Sequence, residues 1–164
     1  MGGVASIEIE IQAASDAAGI PDDTAIRRWV CAALDGAGRG GALDVSVRIV
    51  DPAEMQALNR EFRGKDVPTN VLSFPAGDVP GFPLGERRAL GDLVVCAPVL
   101  NDEAAAQGKL LAHHWAHILV HGALHLIGYD HGDPADAQRM EALETRILAA
   151  GGVADPYREP YGDR

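Results

Sequence analysis

A chain of 164 residues, 47% hydrophobic and 23% charged, can bury a core without disulfides or a structural metal and fits one soluble domain. Its formal net charge of -10 argues against broad electrostatic capture of nucleic acid, so any RNA contact must rest on a local basic or metal-lined cleft. No apolar run reaches membrane-spanning length, no signal peptide is evident, and Cys31 and Cys96 stand singly in apolar runs, which fits reduced core thiols in a cytoplasmic protein without a membrane partner.

Residues 6–12 alternate, with Ile7, Ile9 and Ile11 on one face and Glu8 and Glu10 on the other. This is the pattern of a half-buried strand. Pro21-Asp22-Asp23 opens a helix to about Leu34, with Ile26, Trp29, Val30 and Ala33 inward. A glycine-rich loop over residues 36–41 leads to a second strand carrying Val45, Val47 and Ile49. Asp51-Pro52 reads as an N-cap with proline at the first helical position. That helix places Met55, Leu58 and Phe62 on its buried side and ends near Gly64. A short strand spans residues 71–74. Residues 75–89 are rich in Gly and Pro and form a loop or flap.

An apolar strand follows over residues 93–97, then a helix from Pro98 to about Gln107. A further helical pattern covers residues 110–127 and stops at Gly128. Pro134 opens the last helix, with Met140, Leu143 and Ile147 inward and Glu141 and Glu144 on a solvated face. It ends at Gly151-Gly152. Four strands mixed with about five helices make an α+β domain over residues 1–155, followed by a polar tail over residues 156–164. The pairing of the strands is not legible from the pattern.

All six histidines fall between His113 and His131. His121 and His125 are four apart on a helix, so their rings leave the same face. The helix stops at Gly128, and the turn Gly128-Tyr129-Asp130 can return His131 toward that point. Three imidazoles with an open fourth position make a catalytic zinc site. His117 with His121 is a competing pair in the same stripe. The other histidines, His113 and His114, read as surface, core or supporting residues.

The spacing approaches the zincin motif HExxHxxGxxH. It departs from it at position 122, where Gly replaces the general-base glutamate, while the third histidine comes six residues after the second. Peptide hydrolysis by the zincin route is therefore disfavoured.

The run His121-Gly122-Ala123-Leu124-His125-Leu126-Ile127-Gly128-Tyr129-Asp130-His131 resembles the HGxLHLxGYDH signature of the YbeY family of metal-dependent endoribonucleases. Leu58-Asn59, Phe62-Arg63, Pro68-Thr69-Asn70-Val71-Leu72-Ser73-Phe74 and Leu90-Gly91-Asp92-Leu93-Val94 agree with it. The likeness implies a mixed four-stranded sheet of metalloprotease-like, zincin-like architecture. It implies one zinc ion held by His121, His125 and His131, and a functional arginine at Arg63. The implied activity is cleavage of single-stranded RNA in rRNA processing, at the 3′ end of 16S rRNA, with a role in ribosome maturation and quality control. The implied partners are single-stranded rRNA and the small ribosomal subunit with its associated factors.

In that reading a zinc-bound water is the attacking group and Arg63 clamps the phosphate. The proton acceptor is Asp130 or Asp133, unless the zinc-bound hydroxide needs no separate base, and the alternative role of Asp130 is to orient a histidine. Asn70, Ser73 and His117 line or support the cleft, and Asp92 lines it or ends a strand. Phe74 and Tyr129 are candidates for stacking on bases. Two rivals stand beside this reading. One is a ribosome-assembly binding factor with a mainly structural zinc, and the other is a zinc hydrolase of another substrate.

Overall fold

The computed structural model describes residues 7–76, 87–130 and 132–157. Strand β1 (Ile7–Ala13) is followed by helix α1 (Asp23–Gly36), strand β2 (Leu43–Val50) and helix α2 (Pro52–Arg63). Then come strands β3 (Val71–Pro75) and β4 (Arg88–Cys96), and helices α3 (Ala97–Gln107), α4 (Leu111–Leu126) and α5 (Pro134–Ala150). The strands form one sheet in the order β1-β2-β4-β3. β1 pairs with β2 and β2 with β4 in parallel, whereas β3 runs antiparallel to β4. The expected mixed four-stranded α+β architecture is therefore present.

Alternation along the strands sorts the core into two layers. Val45, Val47 and Ile49 of β2 and Leu93 and Val95 of β4 face α1, α4 and α5. Val50, Leu72, Val94 and Cys96 face the other way, onto Met55 of α2. Helix α4 is the hub of the larger layer. Ten of its 16 residues are buried, among them Trp115, Leu119 and Leu124, each contributing roughly 1.5–3 kcal/mol by its burial.

Helix starts follow the sequence signals in part. Asp22 accepts from the Ala25 amide and Asp133 from the Asp136 amide, both at 2.9 Å, as N-caps do. Asp51 holds the N-cap position of α2 but makes no capping bond. Its carboxylate instead accepts from the Ser15 hydroxyl at 2.6 Å.

Several boundaries and faces differ from expectation. β4 begins at Arg88, five residues before the apolar run, because the parallel ladder with β2 pairs Leu43 with Arg88 and Asp44 with Ala89. The expected loop over residues 75–89 thus loses both ends to strands, and residues 77–86 lie outside the described residues. Asp92 lies inside β4, paired with Ser46 and Phe74, and not at a strand end. In α2 the buried partner of Met55 is Asn59, whose amide donates to the Val67 carbonyl at 2.8 Å. Phe62, expected inward, is 56% exposed and leans edge-on against Phe74 of the edge strand β3.

Gly91 fixes how β3 meets β4. It has φ of 142°, and a Cβ there would lie 2.2 Å from the Phe74 carbonyl oxygen. Both the backbone region and the contact exclude a side chain. Gly91→Ala should cost about 3–5 kcal/mol, read as a fall in the urea midpoint at constant m-value. A loss under about 1 kcal/mol would show that the β3 register is soft.

Candidate metal centre

The site is built on the last two turns of α4. His121 and His125 face one another, with ring centroids 4.6 Å apart and planes at 84°. Each Nδ1 already has an acceptor. That of His121 donates to Glu144 Oε2 at 2.5 Å. That of His125 donates to the Tyr129 carbonyl at 2.8 Å. In neutral rings the protons therefore sit on Nδ1, and the lone pairs sit on Nε2. The two Nε2 atoms are 3.1 Å apart. Two lone pairs facing one another at that separation repel unless a cation lies between them or one ring takes a second proton. Two nitrogens on one tetrahedral ion, at metal–nitrogen distances near 2.05 Å, lie about 3.3 Å apart. The donor pair thus fits a metal, and a carboxylate on one Nδ1 and a carbonyl on the other are the partners that ligating imidazoles ordinarily have.

The turn after α4 folds as the sequence suggests. Gly128 adopts φ of 101°, and the Tyr129 amide returns to the Leu124 carbonyl at 3.1 Å. This reversal is what carries the Tyr129 carbonyl back to His125. His131 lies outside the described residues. Asp130 is exposed on the turn.

Glu144 corrects the sequence reading most sharply. Expected on a solvated face, it is fully buried, and only Glu141 of the pair is exposed. The stripe Met140-Glu144-Leu148, spaced by four residues, places it on the inner face of α5. Besides His121, its carboxylate accepts from His117 Nε2 at 3.4 Å and from the Tyr157 hydroxyl. Burial alone would raise the Glu144 carboxyl. The hydrogen bonds from His117, His121 and Tyr157 outweigh it and bring the group down to about 2. Burial, and then the neighbouring carboxylate, push the Tyr157 phenol up.

His117, His121 and Glu144 each offer a possible metal-ligand atom, all within 4.8 Å. The 2.5 Å separation of His121 Nδ1 from Glu144 Oε2 is a hydrogen-bond length, too short for two ligands of one tetrahedral ion. The Nε2 atoms of His121 and His125 face one another at 3.1 Å, and Glu144 lies on the Nδ1 side of His121.

The remaining candidates are spread around this centre. Ser73 faces α4, where its hydroxyl donates to the Gly122 carbonyl at 2.9 Å. The Asn70 amide donates to both Glu103 oxygens at 3.3 Å. Glu103 also accepts from buried His114 at 2.8 Å. Burial tends to raise the Glu103 carboxyl, but the bonds from His114 and Asn70 hold it below its ordinary value. Asn70 thus ties β3 to α3. The Asp133 carboxylate is held below its usual range, chiefly by the Asp136 amide that it caps. Phe74 lies on the α2 side of the sheet, and Tyr129 is half-buried beside the larger core. Arg63 ends α2, is exposed, and makes no hydrogen bond or ion pair among the described residues. No described helix is long and apolar enough to cross a membrane.

Residues 10–152 match the family model described as Endoribonuclease YbeY. An endoribonuclease YbeY of Halorhodospira halophila is 60% identical over 142 residues, covering 87% of this chain and 91% of that protein. One from Alkalilimnicola ehrlichii is 53% identical over 156 residues, covering 93% and 92%. The solution structure of TM1509 from Thermotoga maritima superposes with a TM-score of 0.55 over 94% of this chain and 99% of that one. Its 23% identity speaks to the fold alone.

Proposed function

This chain belongs to the YbeY endoribonuclease family, and we propose that it is a metal-dependent endoribonuclease cutting single-stranded ribosomal RNA. The step it serves is maturation and quality control of the small ribosomal subunit, with the 3′ end of the small-subunit RNA as target, in the cytoplasm. One zinc ion is held by His121, His125 and His131. The observation that carries this reading is the pair of facing Nε2 atoms, 3.1 Å apart, with both Nδ1 atoms already donating.

When bound, the metal supplies an activated water and polarises a phosphoryl oxygen. The chain's own residues do the rest. His121 and His125 are locked in tautomer and orientation by Glu144 and the Tyr129 carbonyl. Arg63, held by no ion pair among the described residues, offers a planar guanidinium for two-point contact with a phosphate. Asp130 is exposed on the turn that follows His125 and orients a histidine of the site. The net charge of -10 leaves phosphate attraction to such local cations. Arg60, Arg63 and Lys65 put three of them within six positions.

Metal removal tests the reading. Chelation should abolish cleavage of a single-stranded RNA and leave the far-UV circular dichroism unchanged, with activity restored by stoichiometric zinc. Loss of the folded signal on chelation would instead make the metal structural.

A further inference from the structure

The segment after α5 reaches back into the centre. Tyr157 follows Asp155, whose carboxylate accepts from the Tyr157 amide at 2.9 Å and from Thr145 at 3.4 Å. Lys109 donates to the Pro156 carbonyl at 3.0 Å. These bonds bring the Tyr157 ring edge-on to His117, with centroids 5.4 Å apart, and its hydroxyl onto Glu144 Oε1. The other oxygen of that carboxylate holds His121. A fully buried carboxylate keeps its place only while donors satisfy both oxygens. Apart from the hydroxyl, the donor that the structure gives to Oε1 is His117, at the long distance of 3.4 Å.

We propose that Tyr157 is a positioning residue for the metal: its hydroxyl seats Glu144, Glu144 orients His121, and the C-terminal segment thereby sets metal affinity. The inference rests on the metal-site reading above. It makes residues 155–157 part of the site, although Tyr157 offers no ligand atom to the metal itself.

Zinc affinity by chelator competition, the cobalt(II) absorption spectrum and the thermal midpoint of the metal-free protein should be compared for the full chain, Tyr157→Phe and Glu144→Gln. Glu144→Gln should weaken zinc binding about 10–100-fold, as loss of a ligand's partner does. Tyr157→Phe, one bond further out, should weaken it about 3–10-fold and shift the cobalt spectrum in the same direction as Glu144→Gln. A Tyr157→Phe protein with a lowered thermal midpoint but unchanged zinc affinity and cobalt spectrum would overturn the proposal and leave Tyr157 as packing only. Should Glu144→Gln fail to fold, Tyr157→Phe alone decides, since it keeps the ring. If the unaltered chain binds no metal, the metal-site reading itself falls. If it binds metal and only Tyr157→Phe is silent, this inference alone falls.

Discussion

His125→Ala should lose its metal and its RNA cleavage while remaining folded. The residue offers an Nε2 atom 3.1 Å from that of His121, and removing it leaves one described imidazole where two converged. Loss of an outer partner of a ligand costs about 10–100-fold in metal affinity, and loss of a ligand should exceed that range. Cleavage should fall to the background of the preparation. The ring is only partly buried and lies near the end of α4, so the stability cost should be about 1 kcal/mol. Metal content, cleavage of a single-stranded RNA and thermal midpoint on proteins purified side by side give the answer. Equal cleavage by both proteins would assign the activity to a contaminant. No cleavage by a parent that holds its metal would turn the reading toward a ribosome-assembly factor with a supporting metal, which the acidic charge also suits.

Gly122→Glu should destroy the fold and install no peptidase base. The backbone at this position is pressed against the sheet. A Cβ would meet Leu93 and Val71 side chains at 3.1 Å and the Ser73 hydroxyl at 3.5 Å. Even Gly122→Ala should cost about 1–2 kcal/mol through overpacking, partly offset by the better helix propensity of alanine. A glutamate would add an uncompensated carboxylate between helix and sheet and should exceed about 4 kcal/mol. Denaturant unfolding of the two variants tests this. A well-folded Gly122→Glu protein would mean that α4 can lift from β3 and β4. The glycine in HGxLH is thus a packing requirement, and the chemistry of this centre has been arranged without a carboxylate at that point.

The parts of the fold and site that could be read from the sequence are those governed by local pattern. Strand alternation in residues 6–12 and at Val45, Val47 and Ile49, the helix starts at Pro21-Asp22-Asp23 and Pro134, and the stop at Gly128 are all one-dimensional signals. The convergence of His121 and His125 follows from helical spacing alone. What stayed hidden depends on distant partners. β4 starts early because β2 offers a ladder to Arg88 and Ala89. Phe62 is exposed at the end of α2, where its ring leans on Phe74 of the edge strand β3. Glu144 had a usable signal, since it lies four residues from both Met140 and Leu148. Its charge pointed the other way, toward a solvated face. Tyr157 gave none, being one of two tyrosines in a polar tail.

Helix α4 carries both imidazoles and also supplies more buried residues to the larger core than any other element. That coincidence has a thermodynamic consequence. The backbone entropy of ordering His121 and His125 is spent during folding, together with the burial of Trp115, Leu119 and Leu124. A metal that arrives then finds this pair already placed, so affinity is gained without rigidifying the helix a second time. Enclosure also brings vulnerability. A cavity made under α4, tens of atoms from any ligand, would loosen the geometry of the pair, so changes remote from the centre can be felt as losses of metal.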